Sequence, residues 1–168
     1  PYISGKLDKW LDGKWLPVIQ TNRGCPFTCT FCTEGQGYWS KVRKKPLDLI
    51  SLELEYIARK ITANDAHRSD LLITDSNFGM YDQDLEIAKQ IAQIQLEYNF
   101  PIYINVATGK NKKEKVLEVA KIVNGAMKLA GSVQSLDEKV LLNIKRDNIK
   151  PESLMDMALE AARIGTNT

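Results

Sequence analysis

The chain has 168 residues, of which 43% are hydrophobic, 26% charged and 8% aromatic, the make-up of a globular domain long enough for one core. With 23 basic and 21 acidic residues the net charge is +2, too balanced to recruit a nucleic acid or a membrane surface by long-range electrostatics. No apolar run approaches the ~18 residues of a membrane span.

The chain opens on Pro1-Tyr2-Ile3-Ser4-Gly5-Lys6, with no starting Met and no signal pattern, and reads as the middle of something longer. Residues 1–16 are irregular and read as a connector from a preceding domain. Pro17-Val18-Ile19-Gln20-Thr21 is a short strand candidate running into a cysteine loop. The basic run Lys41-Val42-Arg43-Lys44-Lys45 reads as a solvated turn. Pro46 opens a helix carrying Leu47, Ile50, Leu54, Ile57, Ala58 and Ile61 at helical spacing. Leu71-Leu72-Ile73-Thr74 is an apolar strand ending at Asp75. Asp82 caps a helix with Leu85, Ala88, Ile91, Ala92 and Leu96 on one face. Ile102–Val106 is a third strand, with Gly109-Lys110 after it. Asn111 and Glu114 have capping-box spacing before Val116, Val119, Ala120 and Val123. Ala126–Val133 is a fourth strand, and Ser135 with Glu138 makes another capping box before Val140, Leu141 and Ile144. A last helix begins near Pro151, with Leu154, Met157, Ala158, Ala161 and Ile164 on one face.

Alternating β and α elements argue for an α/β fold with a parallel sheet and crossover helices. Such folds gather their sites at the C-terminal ends of the strands. The cysteines, Asp75-Ser76-Asn77 and Gln134-Ser135 would then share one rim.

All three cysteines, Cys25, Cys29 and Cys32, fall within eight residues. An odd number so closely spaced is a poor disulfide framework and fits metal chemistry in a reducing compartment, the cytoplasm. A cubane four-iron cluster needs four ligands, so three thiolates leave one iron open to an amine and a carboxylate of a small molecule. The spacing differs from the ferredoxin run, which closes its clusters with a fourth cysteine. Gly24 and Pro26 suit a tight loop, and the three sulfurs are expected to gather near one point. The other reading is a noncatalytic iron–sulfur or zinc-binding module, with His67 as the fourth ligand of a zinc ion.

The run Thr21-Asn22-Arg23-Gly24-Cys25-Pro26-Phe27-Thr28-Cys29-Thr30-Phe31-Cys32 resembles the cluster loop of the radical S-adenosylmethionine (SAM) superfamily, whose pattern includes an aromatic residue before the third cysteine, here Phe31. Arg23–Phe27, Asp75-Ser76-Asn77-Phe78-Gly79-Met80 and Val133-Gln134-Ser135 followed by Lys145-Arg146 are similar to members that often carry an N-terminal cobalamin-binding domain. The resemblance spans roughly residues 17–165. It implies a partial TIM-like (β/α) barrel with about four of the six strand–helix units of a radical SAM core, occupying residues 17–168 and incomplete at the C-terminus. It further implies a 4Fe-4S cluster held by Cys25, Cys29 and Cys32, and SAM as the second cofactor. Cobalamin, held by a domain preceding Pro1, is a candidate third. The implied chemistry is reductive cleavage of SAM to methionine and a 5′-deoxyadenosyl radical that takes hydrogen from a substrate, with electrons from a donor such as flavodoxin or ferredoxin. By the same resemblance Phe31 packs near the adenine, and Asp75, Ser76 and Asn77 occupy the place that receives the SAM amino group. Gln134 and Ser135 sit where ribose contacts arise. Arg146 matches an arginine that pairs with the SAM carboxylate, as guanidinium geometry suits.

Overall fold

The computed structural model describes residues 1–64, 68–129 and 131–166. Strand β1 (Val18–Ile19) is followed by β2 (Asn22–Arg23), the cysteine loop and β3 (Arg43–Lys44). Then come α1 (Leu47–Thr62), β4 (Asp70–Phe78), α2 (Asp82–Tyr98), β5 (Tyr103–Thr108), α3 (Lys113–Ile122), α4 (Glu138–Asn143) and α5 (Pro151–Ile164). β1, β4 and β5 form a parallel sheet in that order, with Val18 opposite Leu72 and Leu72 opposite Asn105.

Residue alternation along the strands decides which face the helices take. Ile19, Leu71, Ile73 and Ile104 are buried, while Val18, Thr74, Tyr103 and Asn105 are exposed, as a period of two requires. The buried side meets Ile50, Leu54, Ile57, Ala58 and Ile61 of α1, Ile87, Ala88 and Ile91 of α2, and Val116, Val119 and Ala120 of α3 in one cluster. Each large aliphatic side chain in it contributes about 1.5–3 kcal/mol by leaving water. The helices therefore line one face and the other stays open, as in one sector of a barrel wall.

Five local expectations change. Asp82 does not cap α2 but is its first residue; Tyr81 is the N-cap, and Asp84 accepts the Tyr81 N–H. The fourth strand shrinks to a single parallel bridge, Ile104 with Met127, where Ile104 N–H donates to Ala126 O at 2.8 Å. Among the described residues no strand lies on its outer side, so only one row of ladder bonds holds it. The basic run 41–45 is not a solvated turn, because Arg43–Lys44 pairs antiparallel with β2, Asn22 opposite Lys44 and Arg23 opposite Arg43. α3 has no capping box: Lys112 enters it with φ 58°, and Asn111 donates instead to Asp147 at 2.9 Å. α4 is capped by Asp137, whose carboxylate accepts from the N–H groups of Lys139 and Val140, not by Ser135.

Residues 1–16 pack onto the domain. Tyr2 and Leu11 are buried, the Tyr2 hydroxyl donates to Val18 O, and Asp8 accepts from Tyr56 and Lys60 of α1, each at 2.7 Å.

Candidate functional site

The β2–β3 ladder closes the base of the cysteine loop. Lys45 fastens it: its N–H donates to Thr21 O at 2.8 Å, its ammonium pairs with the buried Glu53 of α1, and its carbonyl accepts from Gln83 at 2.7 Å. Inside the loop, Cys25 N–H donates to Trp39 O at 2.9 Å, Cys32 N–H to Cys29 O at 3.1 Å and Gly35 N–H to Cys32 O at 3.0 Å. Two glycines make this folding possible. Gly24 has φ 114°, and a Cβ there would lie 2.7 Å from the carbonyl oxygens of both Lys41 and Trp39. A Cβ at Gly35 would lie 2.1 Å from Cys29 O. Only a residue without a Cβ tolerates such approaches.

Near the end of β4, Asp75 holds the stretch that enters the loop and Asn77 reaches a cysteine within it. Asp75 is 2% exposed. Its carboxylate accepts from Thr21 N–H (2.8 Å), Asn22 N–H (3.2 Å), Asn22 Nδ2 (2.7 Å) and the Thr21 hydroxyl. Burial pushes its carboxyl above the ordinary range, opposed by those hydrogen bonds. Asn77 is 1% exposed, and its Nδ2 donates to Cys25 Sγ at 3.3 Å. The other end of that amide, Oδ1, is buried with no partner among the described residues, as is the Tyr81 hydroxyl. Burial, then the proximity of Cys25, Asp84 and Asp75, pushes the Tyr81 phenol up to about 12. Ser76, between Asp75 and Asn77, is half-buried. The turn after β4 is fixed by Asp84, whose carboxylate accepts from Gly79 N–H (2.8 Å) and Tyr81 N–H (2.9 Å).

The opposite wall comes from the segment after α4. Thr30 N–H of the cysteine loop donates to Ile144 O at 3.0 Å. Arg146 is 6% exposed, donates through Nε to Asn148 Oδ1 at 2.6 Å and through Nη2 to Ser132 O, and sets its guanidinium 5.9 Å from the centre of the Phe31 ring. It is in no ion pair among the described residues. Asn148 donates to Ser135 O at 2.8 Å, which draws the Ser132–Ser135 stretch to the same place. Lys110 lies 5.7 Å from the centre of the Phe27 ring, so the end of β5 also meets the loop.

A sequence profile described as the Radical SAM superfamily matches residues 19–168. The chain belongs to the radical SAM superfamily. It is 38% identical over 158 residues to the cobalamin-dependent radical SAM methyltransferase TokK of Streptomyces tokunonensis, an alignment covering 89% of this chain and 22% of that protein. It is 34% identical over 162 residues to the 2-(S-pantetheinyl)-carbapenam-3-carboxylate methyltransferase of Streptantibioticus cattleyicolor, covering 91% of this chain and 23% of the relative. The fold matches that of a solved structure, the cobalamin-dependent SAM radical enzyme OxsB, with a TM-score of 0.62 at 16% identity over 98% of this chain and 24% of that one. The chain thus spans less than a quarter of each of these proteins. Radical SAM membership brings a 4Fe-4S cluster and SAM as cofactors.

The fold brings Cys25, Asn77, Phe31 and Arg146 together around the radical SAM loop. Asp75 is at the same rim but turns its carboxylate to residues 21–22. Gln134 is exposed, and Ser135 accepts from Asp137 N–H at 3.0 Å through its hydroxyl. Cys25 and Cys29 are buried and Cys32 half-buried. Among the described residues no three His, Cys, Asp or Glu side chains converge as a single metal ion requires. A four-iron cube has no such requirement, because each thiolate takes a different iron. His67 lies outside the described residues. Gly35 and Tyr81 escaped the sequence reading: Gly35 follows the last cysteine and resembles any loop glycine, and Tyr81 precedes a helix whose pattern begins after it.

Proposed function

We propose that this chain is the cluster- and SAM-binding part of an enzyme that cleaves SAM reductively and uses the resulting radical in a methyl-transfer reaction. The carrying observation is the pair of walls around the cysteine loop: beside Cys25 a buried amide whose acceptor has no partner among the described residues, and over Phe31 a buried arginine in no ion pair among them. Those groups match the two ends of an amino acid, an amino group that can still donate N–H and a carboxylate.

In this reading Cys25, Cys29 and Cys32 hold the cluster. Asn77 Oδ1 accepts from an N–H of the SAM amino group, which meets a buried carbonyl otherwise left without a hydrogen bond. Arg146 receives the SAM carboxylate on the donors not spent on Asn148 and Ser132. Phe31 packs the adenine, and the Gln134-Ser135 stretch lies beside the ribose. Asp75 does not touch SAM and instead fixes the entry to the loop. The chemistry supplied by the bound cluster is one-electron cleavage of SAM to methionine and a 5′-deoxyadenosyl radical, which takes hydrogen from the substrate.

The names of the two relatives support methyl transfer, and one supports cobalamin, held here by residues outside this chain. An electron donor of the flavodoxin or ferredoxin kind and a cytoplasmic setting complete the reading. Among the described residues no helix is long and apolar enough to cross a membrane.

The test is anaerobic reconstitution of the protein expressed from its full reading frame, with reductant, SAM and cobalamin. The expected results are broad visible absorption that changes on adding SAM, and 5′-deoxyadenosine formed together with methionine. Alanine at any one of the three cysteines abolishes both products. A colourless zinc protein, or SAM cleavage that survives a cysteine substitution with the cluster intact, overturns the reading.

A further inference from the structure

We propose that Asn77 is a positioning residue that holds the Cys25 thiolate through an N–H···S hydrogen bond and raises the reduction potential of the cluster. The inference rests on Cys25 being a cluster ligand. Among the described residues, Cys25 is the one cysteine whose sulfur receives a side-chain donor, Asn77 Nδ2 at 3.3 Å. Both partners are almost fully enclosed, at 1% and 5% exposure. In such surroundings a donor is not diluted by competing water, and its effect on a nearby charge is large.

The amide is fixed from its backbone. Asn77 precedes Phe78, which is fully buried and pairs with Thr108 at the end of β5. Gly79, next in line, is tied through its N–H to Asp84. The carboxamide is therefore carried on the rigid end of a central strand, not on a mobile loop. Its neutrality matters as well. An N–H donor aimed at a ligand sulfur stabilises added negative charge without pairing an ion, and reduction adds one negative charge to the cluster. The reduced form gains more than the oxidised form, so the potential rises, as hydrogen bonds to ligand sulfurs do in iron–sulfur proteins. Removing the donor has the opposite sign.

The experiment is a redox titration followed by electron paramagnetic resonance on the reconstituted protein from its full reading frame, without SAM so that the contact of Asn77 Oδ1 with SAM plays no part, comparing the parent with Asn77→Ala and Asn77→Asp. Alanine should weaken reduction by roughly tenfold, which for one electron is about 59 mV toward negative potential. Aspartate keeps the volume but turns the donor into a carboxylate oxygen, and should move the potential further the same way. Iron and sulfide analysis separates this from a packing role. A variant that loads less cluster but titrates at the parent's potential overturns the proposal. If neither variant loads, the parent grown with 15N-asparagine decides, because a 15N hyperfine coupling to the reduced cluster is expected and its absence overturns the contact. A parent with no iron–sulfur signal at all removes the ligand assignment, and this inference with it.

Discussion

Replacing Asp75 separates a latch from a SAM contact. Its carboxylate accepts four hydrogen bonds, two from the backbone N–H groups of Thr21 and Asn22 and two from their side chains. Asp75→Ala strands both N–H groups in a buried place, at about 1–3 kcal/mol each. Part of that is returned, because the burial that pushes the carboxyl upward also means a charge no longer has to be kept out of water. A net loss of about 2–4 kcal/mol is expected. Asp75→Asn should cost only about 1 kcal/mol. Asn keeps one acceptor for the N–H groups, and turning the Thr21 hydroxyl and the Asn22 amide presents acceptors to the new NH2. The assay is urea unfolding of the cluster-free protein, read as the shift in midpoint at constant slope, with SAM affinity measured beside it on the reconstituted enzyme. A latch predicts that Asn is mild on both measures. If Asp75→Asn is as damaging as alanine to SAM binding while stability is kept, the carboxylate charge serves SAM and the latch account is wrong. If alanine leaves the midpoint unchanged, the hydrogen-bond reasoning fails.

Three further outcomes follow from the same geometry. Arg146→Ala should weaken SAM binding ~10- to 150-fold, the worth of a charge-assisted pair of about 1.5–3 kcal/mol, and Arg146→Lys should restore only part of it; equilibrium binding to the reconstituted enzyme at parental affinity would make Arg146 purely structural. Gly35→Ala should abolish cluster loading, since the obstacle 2.1 Å away is the Cys29 carbonyl and not a flexible tip; parental iron and sulfide content in that variant would contradict the loop geometry. Burial pushes the Asp84 carboxyl up to about 6, against about 3.9 when unfolded. The folded state therefore binds that proton more tightly, and its contribution, at most about 3 kcal/mol, is gained as pH falls from 6 toward 4 and lost as pH rises through the same window. Urea midpoints across that window should flatten in Asp84→Asn, Asp75 leaving a residual slope of the same sign; an unchanged slope would remove the assignment.

Periodicity carried the helices because burial enforces it: the apolar stripe Ile50, Leu54, Ile57, Ala58 and Ile61 faces the sheet as read. It carried less where no wall stands opposite, so Leu96 of the α2 pattern is 80% exposed, and α4 buries nothing. The β2–β3 ladder was hidden for a different reason. Arg23 opposite Arg43 is a like-charge pair that a sequence reading disfavours, and what holds it is remote: Glu53 on α1 and Asp75 on β4. The cysteine loop was plain because its chemistry is local in sequence. Its walls were less so. The resemblance pointed to Asn77 and Arg146, but spacing alone cannot say that Asn77 reaches a sulfur or that the carboxylate of Asp75, two residues earlier, is spent on Thr21 and Asn22.

The tie between Thr30 and Ile144, with the Asn77 contact to Cys25, also sets an order of events during synthesis. The cysteines leave the ribosome before the groups that enclose them, which come from the end of β4 and from beyond α4. Until those later stretches have been made and packed, the three thiols lie on an open loop closed only near its base.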